Sequence, residues 1–167
     1  MPPLVTICGR SDAGKTTVVE RIIRHVTAHG FRVASIKDYH GAEPLDTPGK
    51  DTDRHRKAGA VATVLRAPGE GKMFFPLAPE EGLASLATRL FPDVDLIVAE
   101  GFKAAPVDKV EVARASLAAE LLCRDDPRLV AVVTDFVVDE ALPRFPQGDE
   151  ASLGDFLLDR YLSGGPS

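Results

Sequence analysis

Cysteine is scarce in this sequence of 167 residues, and long apolar runs are missing from it. Its two cysteines, Cys8 and Cys123, belong to no C-x-x-C pair, so the sequence indicates neither a disulfide framework nor a zinc knuckle. No stretch approaches the roughly 18 apolar residues of a membrane span. Residues 1–5 contain no basic segment leading into an apolar run, which a secretory signal would require. We therefore expect a cytoplasmic protein that does not enter a membrane.

The composition is that of an ordinary globular protein. Apolar residues make up 44% of the chain and charged residues 27%, which excludes disorder as the main state. The length fits one domain with a core of its own, and we expect residues 1–167 to form a single nucleotide-binding domain. The net charge of −5 argues against a general nucleic-acid binder.

Short apolar runs alternate with segments of helical spacing. This alternation predicts a mostly parallel sheet covered on both faces by helices. The predicted strands are 4–8, 33–36, 61–65, 96–99 and 129–133, with shorter ones at 73–75 and 110–112. The predicted helices are 18–26 (ended by Gly30), 51–58, 79–90 and 155–162, and residues 136–149 are expected to be irregular. Segments 72–75 and 109–112 are candidate edge strands for pairing between two copies of the chain.

The motif G-x-x-x-x-G-K-[ST] follows the first predicted strand without a gap. Gly9 and Gly14 permit backbone angles and a close approach that a side chain would block. Successive N–H groups then surround a phosphate, and the following helix adds its free N–H groups and the positive end of its dipole. The predicted nucleotide-binding residues are Gly9, Arg10, Ser11, Asp12, Ala13, Gly14, Lys15, Thr16 and Thr17.

We expect individual side chains of this loop to have separate roles. Lys15 places a charge against the β- and γ-phosphates, the Thr16 hydroxyl is a ligand for Mg²⁺, and Thr17 reaches the α-phosphate. The loop has no G-x-G-x-x-G pattern, which disfavours a dinucleotide-binding oxidoreductase. The loop and the alternating elements predict the α/β, three-layer P-loop NTPase fold with a mostly parallel sheet.

A P-loop needs a carboxylate near its metal ion, usually at the end of a buried strand. Glu100 ends the apolar run 96–99, and Gly101 after it permits a close approach to the γ-phosphate. The alternative for Glu100 is an exposed acid at a strand end. Asp95 begins the same run and is expected to be solvated.

Two groups of polar residues allow more than one interpretation. Lys37, Asp38, His40 and Asp46 form either a solvated loop or part of a metal site, and their spacing slightly favours the loop. His25 and His29 lie four residues apart on the first predicted helix. Surface histidines are the more common outcome of that spacing, and metal ligands are the less common one.

Four segments together resemble the molybdopterin-guanine dinucleotide biosynthesis protein B family (MobB): Gly9–Thr17, Ser35–Lys37, Asp46–Ala60 and Asp95–Lys103. The resemblance covers nearly the whole chain. It implies a homodimeric GTP-binding protein with weak GTPase activity, which assists a molybdopterin guanylyltransferase (MobA-like) that joins GMP to molybdopterin. By matching position, Lys15 and Thr16 hold phosphate and Mg²⁺, and Asp46 and Glu100 are the carboxylates around the metal ion or its waters. Lys15 and Glu100 are thereby the implied catalytic residues.

The chain also departs from the family pattern. A histidine-rich K-H-T-H-H segment is common after the second strand, and of those histidines only His40 is present here, which weakens any role of the cluster in binding molybdopterin. The sequence contains no N-K-x-D box, the motif that many GTP-binding proteins use to recognise guanine. Asp135 follows the strand 129–133, and it either accepts hydrogen bonds from N1 and N2 of guanine or caps the end of that strand.

The predicted function is a GTP- and Mg²⁺-binding adapter with weak GTPase activity in molybdenum cofactor biosynthesis, which assists the conversion of the cofactor to its guanine dinucleotide form. The slow hydrolysis fits the lack of an arginine finger or a water-orienting glutamine near Glu100, although Arg10 is a candidate across a dimer. The alternatives are a small-molecule kinase or ATP-dependent ligase of the same fold and, less favoured because cysteine and clustered histidine are few, a metallochaperone GTPase.

Overall fold

A computed structural model describes residues 1–138 and 141–164. The strands are β1 Leu4–Cys8, β2 Val33–Lys37, β3 Thr63–Ala67, β4 Glu70–Phe74, β5 Leu96–Glu100, β6 Asp108–Ala113, β7 Leu129–Thr134 and β8 Arg144–Phe145. The helices are α1 Lys15–Ala28, α2 Asp51–Lys57, α3 Leu83–Leu90 and α4 Glu150–Tyr161. None of the helices in these two ranges combines the length and the apolar character that crossing a bilayer demands.

The main sheet has six strands in the order β2-β5-β1-β6-β7-β8, and neighbouring strands pair in parallel throughout. The register aligns Glu100 with Ile7 on one side and with Lys37 on the other. The carboxyl ends of β1, β2 and β5 therefore meet at one edge of the sheet, as the predicted site requires.

Helices cover both faces of this sheet because successive side chains on each strand point to opposite faces. On one face α1 and α4 pack through a core that includes Ile22, Val26 and Leu157, all fully buried. On the other face α3 contributes Leu83 and Ala87 to a second core. The three-layer α/β arrangement predicted from the sequence is thereby confirmed.

Several predicted boundaries were wrong. The helix predicted from residue 79 begins at Leu83, and the one predicted from residue 155 begins at Glu150. Asp149 explains the second difference, because its side chain accepts a hydrogen bond from the Ser152 N–H and caps α4 earlier. The two-residue strand β8 lies in a segment predicted to be irregular.

Two other expectations are corrected by long-range contacts. Segment 109–112 is no sheet edge, since β6 pairs with both β1 and β7. Asp95 is buried rather than solvated, and its Oδ2 accepts a hydrogen bond of 2.6 Å from the Arg32 N–H.

The chain divides into two compact units, one made of Met1–Asp38 with Gly82–Ser167 and the other of Tyr39–Glu81. The first unit contains the main sheet. The second contains α2 and the antiparallel hairpin of β3 and β4, which turns at Gly69 with φ +85°. Whether both units behave as one domain stays a prediction of the sequence.

Lys109 is almost completely buried, with 1% of its surface exposed. Its Nζ donates to the carbonyl oxygens of Ala105 (2.6 Å) and Val107 (3.3 Å) and lies 2.8 Å from Oδ2 of Asp126. A buried ammonium group is tolerated only with such partners. The hydrogen bond from Lys109 lowers the pKa of Asp126 below its usual value.

We expect Asp126→Asn to lower the urea midpoint of unfolding at pH 7, because Lys109 then loses its counter-charge. A carboxyl group whose folded pKa is depressed stabilises the protein above its unfolded pKa of about 3.9 and loses that effect as the pH falls through the folded pKa. The difference between wild type and variant should therefore shrink below about pH 4. Asp125→Asn, at an exposed neighbouring position, is the control. A wild-type midpoint for Asp126→Asn would contradict the assignment.

Candidate nucleotide-binding site

The chain turns sharply where β1 ends, at Gly9. Gly9 has φ +141°, and a Cβ atom there would lie 2.2 Å from the carbonyl oxygen of Val112 on the neighbouring strand β6. Gly14 caps α1 with φ +96°, a left-handed conformation that favours glycine. Both glycines of the motif are therefore required by backbone geometry and by space.

The first turn of α1 presents its N–H groups at the end of this loop, and it contains no acidic residue. The first N–H groups of a helix lack partners within the helix and carry the positive end of its dipole, which favours an anion. Lys15 is half-buried, and its Nζ donates to the Arg10 carbonyl oxygen across the loop (2.7 Å). The ammonium group is thus held over the loop that the motif predicts to bind phosphate.

Glu100 approaches the loop from the end of β5. Its Oε1 accepts hydrogen bonds from the Thr16 hydroxyl (2.9 Å) and from Lys37 Nζ (3.0 Å), and its side chain is 12% exposed. Adjacent oxygen ligands of an octahedral Mg²⁺ ion lie about 3.0 Å apart when each Mg–O bond is about 2.1 Å. The hydroxyl of Thr16 and the carboxylate of Glu100 therefore fit Mg²⁺, which would offset the charge of bound phosphates.

An open cleft of about 470 Å³ lies above these groups. It is lined by Ser11, Asp12, Gly14, Lys15, Thr16, Thr17 and Glu100. Most of the residues predicted from the motif thus face one cavity, together with the predicted carboxylate.

The segment after β6 supports the loop through contacts that no sequence pattern indicated. Arg114 Nε donates to the Ala13 carbonyl oxygen (2.8 Å), and Arg10 Nη2 forms an ion pair with Glu120 (2.6 Å). The buried Cys8 and Cys123 thiols lie 3.6 Å apart, so the two cysteines meet although their spacing gave no sign of it. Only the pairing of β1 with β6 brings these residues together.

Glu111 fixes the far part of this segment. Its two carboxylate oxygens accept hydrogen bonds from the N–H groups of Leu122 (2.7 Å) and Cys123 (2.8 Å), and the side chain is 1% exposed. The segment that contacts the loop is therefore anchored to β6 itself.

Asp46 belongs to the second unit, whereas Thr16 and Glu100 belong to the first. Its carboxylate accepts hydrogen bonds from the Thr52 hydroxyl (2.9 Å) and from Arg56 Nη2 (2.7 Å). Burial raises the pKa of Asp46, but the hydrogen bonds from Arg56 and Thr52 outweigh it, and the net pKa lies below the usual value. Asp46 is thus ionised and held in place, and its role at a metal ion stays a prediction.

Asp135 follows β7, as predicted. Its Oδ1 accepts a hydrogen bond of 2.7 Å from the N–H of Ala115, just beyond the end of β6. This is a capping contact to the neighbouring strand, close to the second of the two interpretations from the sequence. A contact to guanine stays a prediction.

A parallel α/β sheet whose internal first strand leads through G-x-x-x-x-G-K-T into a helix defines the class of P-loop proteins. Residues 4–135 match the family model described as "Molybdopterin guanine dinucleotide synthesis protein B". The chain therefore belongs to the MobB family.

Individual relatives agree with this assignment. The chain is 31% identical over 165 residues to the molybdopterin-guanine dinucleotide biosynthesis adapter protein of Escherichia coli (strain K12), which covers 95% of this chain and 93% of that protein. It is 37% identical over 113 residues to the probable adapter protein of Bacillus subtilis (strain 168), a match that spans 66% of this chain and 64% of the relative.

Solved structures show the same fold. A crystal structure of molybdopterin-guanine biosynthesis protein B superposes with a TM-score of 0.76 at 26% identity and covers 94% of this chain and 99% of that one. The structure of Bacillus subtilis MobB gives a TM-score of 0.71 at 27% identity, with 95% and 98% covered.

We expect Gly9→Ala to destabilise the protein more than Gly148→Ala does. Both glycines have positive φ, but a Cβ at Gly148 meets open space, whereas one at Gly9 overlaps the Val112 carbonyl. A left-handed conformation alone costs an alanine about 1–2 kcal/mol. Chemical denaturation of both variants measures the difference, and equal losses of stability would contradict the close approach of β6.

Proposed function

We propose that this protein binds GTP with Mg²⁺ and acts as an adapter in the biosynthesis of molybdopterin guanine dinucleotide. The observation that carries the proposal is the joint placement of Lys15, Thr16 and Glu100 around one cleft at the start of α1. Membership of a family whose curated relatives are named as adapters in this pathway supports the cellular role.

Different residues bind different parts of the nucleotide and its metal ion. The N–H groups of the loop and Lys15 hold the β- and γ-phosphates, and Thr17 holds the α-phosphate. Thr16 and Glu100 hold Mg²⁺, with Asp46 as the further carboxylate implied by the family. Bound Mg²⁺ supplies charge neutralisation at the phosphate oxygens. Lys37 Nζ donates to Glu100 (3.0 Å), and bound Mg²⁺ would free it for a phosphate or for a partner protein.

GTP hydrolysis by this chain alone should be slow. Arg10 is the one arginine inside the loop sequence, and its guanidinium is paired with Glu120 instead of standing over the cleft. Arg114 is likewise bound to a loop carbonyl. An arginine finger contributes about 10³–10⁵-fold to turnover, so its absence from the cleft fits a protein that holds GTP more than it consumes it.

The proposed location of this protein is the cytoplasm, and its proposed partners are a molybdopterin guanylyltransferase, molybdopterin itself, and a second copy of this chain. The hairpin of the second unit supports self-association. Val64 and Met73 are cross-strand neighbours on one face of it, and they are 65% and 48% exposed. Exposed apolar residues grouped in this way are typical of an interface.

Lys15→Ala should abolish GTP binding while leaving the protein folded, because the β- and γ-phosphates lose their charge partner. Titration calorimetry with GTP, ATP and GMP, each with Mg²⁺, measures the loss, and thermal unfolding in the absence of nucleotide confirms the fold. Glu100→Gln should retain nucleotide binding but weaken its dependence on Mg²⁺. Unchanged GTP affinity in Lys15→Ala would contradict the proposed site.

The same panel separates the adapter from a kinase or ligase of the same fold. The adapter requires tighter binding of GTP than of ATP and a GTP turnover that changes when the guanylyltransferase is added. Preference for ATP, or fast turnover indifferent to that enzyme, would overturn the proposed function.

Val64→Asp should shift the protein from dimer to monomer, because a buried interface does not tolerate an unpaired charge. Light scattering after size-exclusion chromatography reports the mass. Leu117→Asp, at another exposed apolar residue, is the matched control and should leave the mass unchanged. A wild-type protein that is already monomeric would exclude the homodimer.

A further inference from the structure

Two histidines of the first helical segment and one aspartate of the last helix form a cluster that the nucleotide site does not use. His25 lies in α1, His29 is its C-terminal cap residue, and Asp155 lies in α4. One ligand atom of each lies within 4.8 Å of the other two. The cluster begins ten residues after Lys15, about 15 Å along the helix, and so it is a separate place on the surface.

The close contacts within the cluster involve groups that coordinate metals. His25 Nε2 lies 2.7 Å from Asp155 Oδ1, and the imidazole rings of His25 and His29 have their centroids 4.6 Å apart. Two imidazoles and one carboxylate make up a set of three protein ligands of the kind that Zn²⁺ sites with one open position use.

A backbone carbonyl fixes the orientation of His29. Its Nδ1 lies 2.9 Å from the carbonyl oxygen of His25. A carbonyl only accepts, so Nδ1 is the donor, and the lone pair of the neutral ring is at Nε2. Histidines that bind metals commonly donate their other ring N–H to a carbonyl in this way.

The two helices are held at the distance that the cluster needs. Val26 of α1 and Leu157 of α4 are fully buried in one core. A Cβ at Gly154 would lie 2.4 Å from Cδ2 of His25, so the imidazole lies against α4 only because residue 154 is glycine. The ring is thereby brought beside Asp155, and the negative end of the α1 dipole adds a further attraction for a cation.

We propose that His25, His29 and Asp155 form a binding site for Zn²⁺, with the fourth position of a tetrahedral ion open to water or to a partner's side chain. Tetrahedral ligands at about 2.0–2.1 Å from the ion are about 3.4 Å apart. His25 Nε2 and Asp155 Oδ1, now 2.7 Å apart, would separate by a rotation of the exposed Asp155 side chain, while His29 keeps its contact with the His25 carbonyl oxygen. Mg²⁺ prefers all-oxygen ligands and does not compete for it.

Zinc at this position ties the end of α1 to α4. Since Asp155 is 130 residues from His25 in sequence, the unfolded chain does not hold all three ligands together, and binding stabilises the folded state. The site stands apart from the proposed nucleotide function, so each succeeds or fails independently.

The test is calorimetric titration of the metal-free full chain with ZnCl₂ in excess Mg²⁺, together with thermal unfolding. We expect one Zn²⁺ per chain, a raised melting temperature, and at least tenfold weaker binding in His29→Gln and in Asp155→Asn. The double variant His40→Gln/His55→Gln removes the other two histidines of the chain and should bind as wild type does. His29 and Asp155 are exposed, so these variants should fold.

Cobalt substitution identifies the ligands directly. Co²⁺ should give the strong visible bands of a tetrahedral site without the near-ultraviolet charge-transfer band of a thiolate. No zinc binding by the wild type, wild-type affinity in His29→Gln, or a thiolate band indicating Cys8 and Cys123 would each overturn the proposal.

Discussion

The close passage of the β1–α1 turn beside the β6 backbone is the constraint on which the candidate nucleotide site depends. Residue 9 lies so near the Val112 carbonyl oxygen that no side chain fits, since a Cβ atom would lie only 2.2 Å from that oxygen. Because the cradle is made of main-chain N–H groups, its shape follows from how β1 pairs with β6, and Arg114 secures the same loop through the Ala13 carbonyl. The site is consequently part of the sheet architecture and not a flexible addition to it.

Glu100 accepts hydrogen bonds from two different elements at the end of β5. Parallel register places it between Ile7 and Lys37, where one carboxylate oxygen receives both the Thr16 hydroxyl and the Lys37 ammonium group. In the proposed complex Lys37 gives up its contact with Glu100, while Thr16 and Glu100 become neighbouring ligands of the divalent cation. Lys15 lines the same cleft, so the proposed cation and polyanion have separate partners within one cavity.

The parts of the candidate site that local chemistry specifies could be predicted from the sequence. The glycines, Lys15 and Thr16 were recognisable because a fixed motif follows an apolar strand, and Glu100 because it ends one. Arg114 and Glu120 were missed, since they reach the loop only through the β1–β6 pairing. Asp95 was misjudged because its partner Arg32 is 63 residues away in sequence and meets it where β2 pairs with β5.

The sequence by itself predicts alternating helices and strands, a parallel sheet and a phosphate loop, because hydrophobic periodicity and glycine chemistry act over a few residues. Tertiary structure decided which strands are neighbours, and with them the contact of Cys8 with Cys123 and of His25 with Asp155. These pairs are distant along the chain, and only the packing of buried apolar faces brings them into contact. Local sequence patterns predict that such faces are buried, but they do not specify which other helix or strand each face packs against.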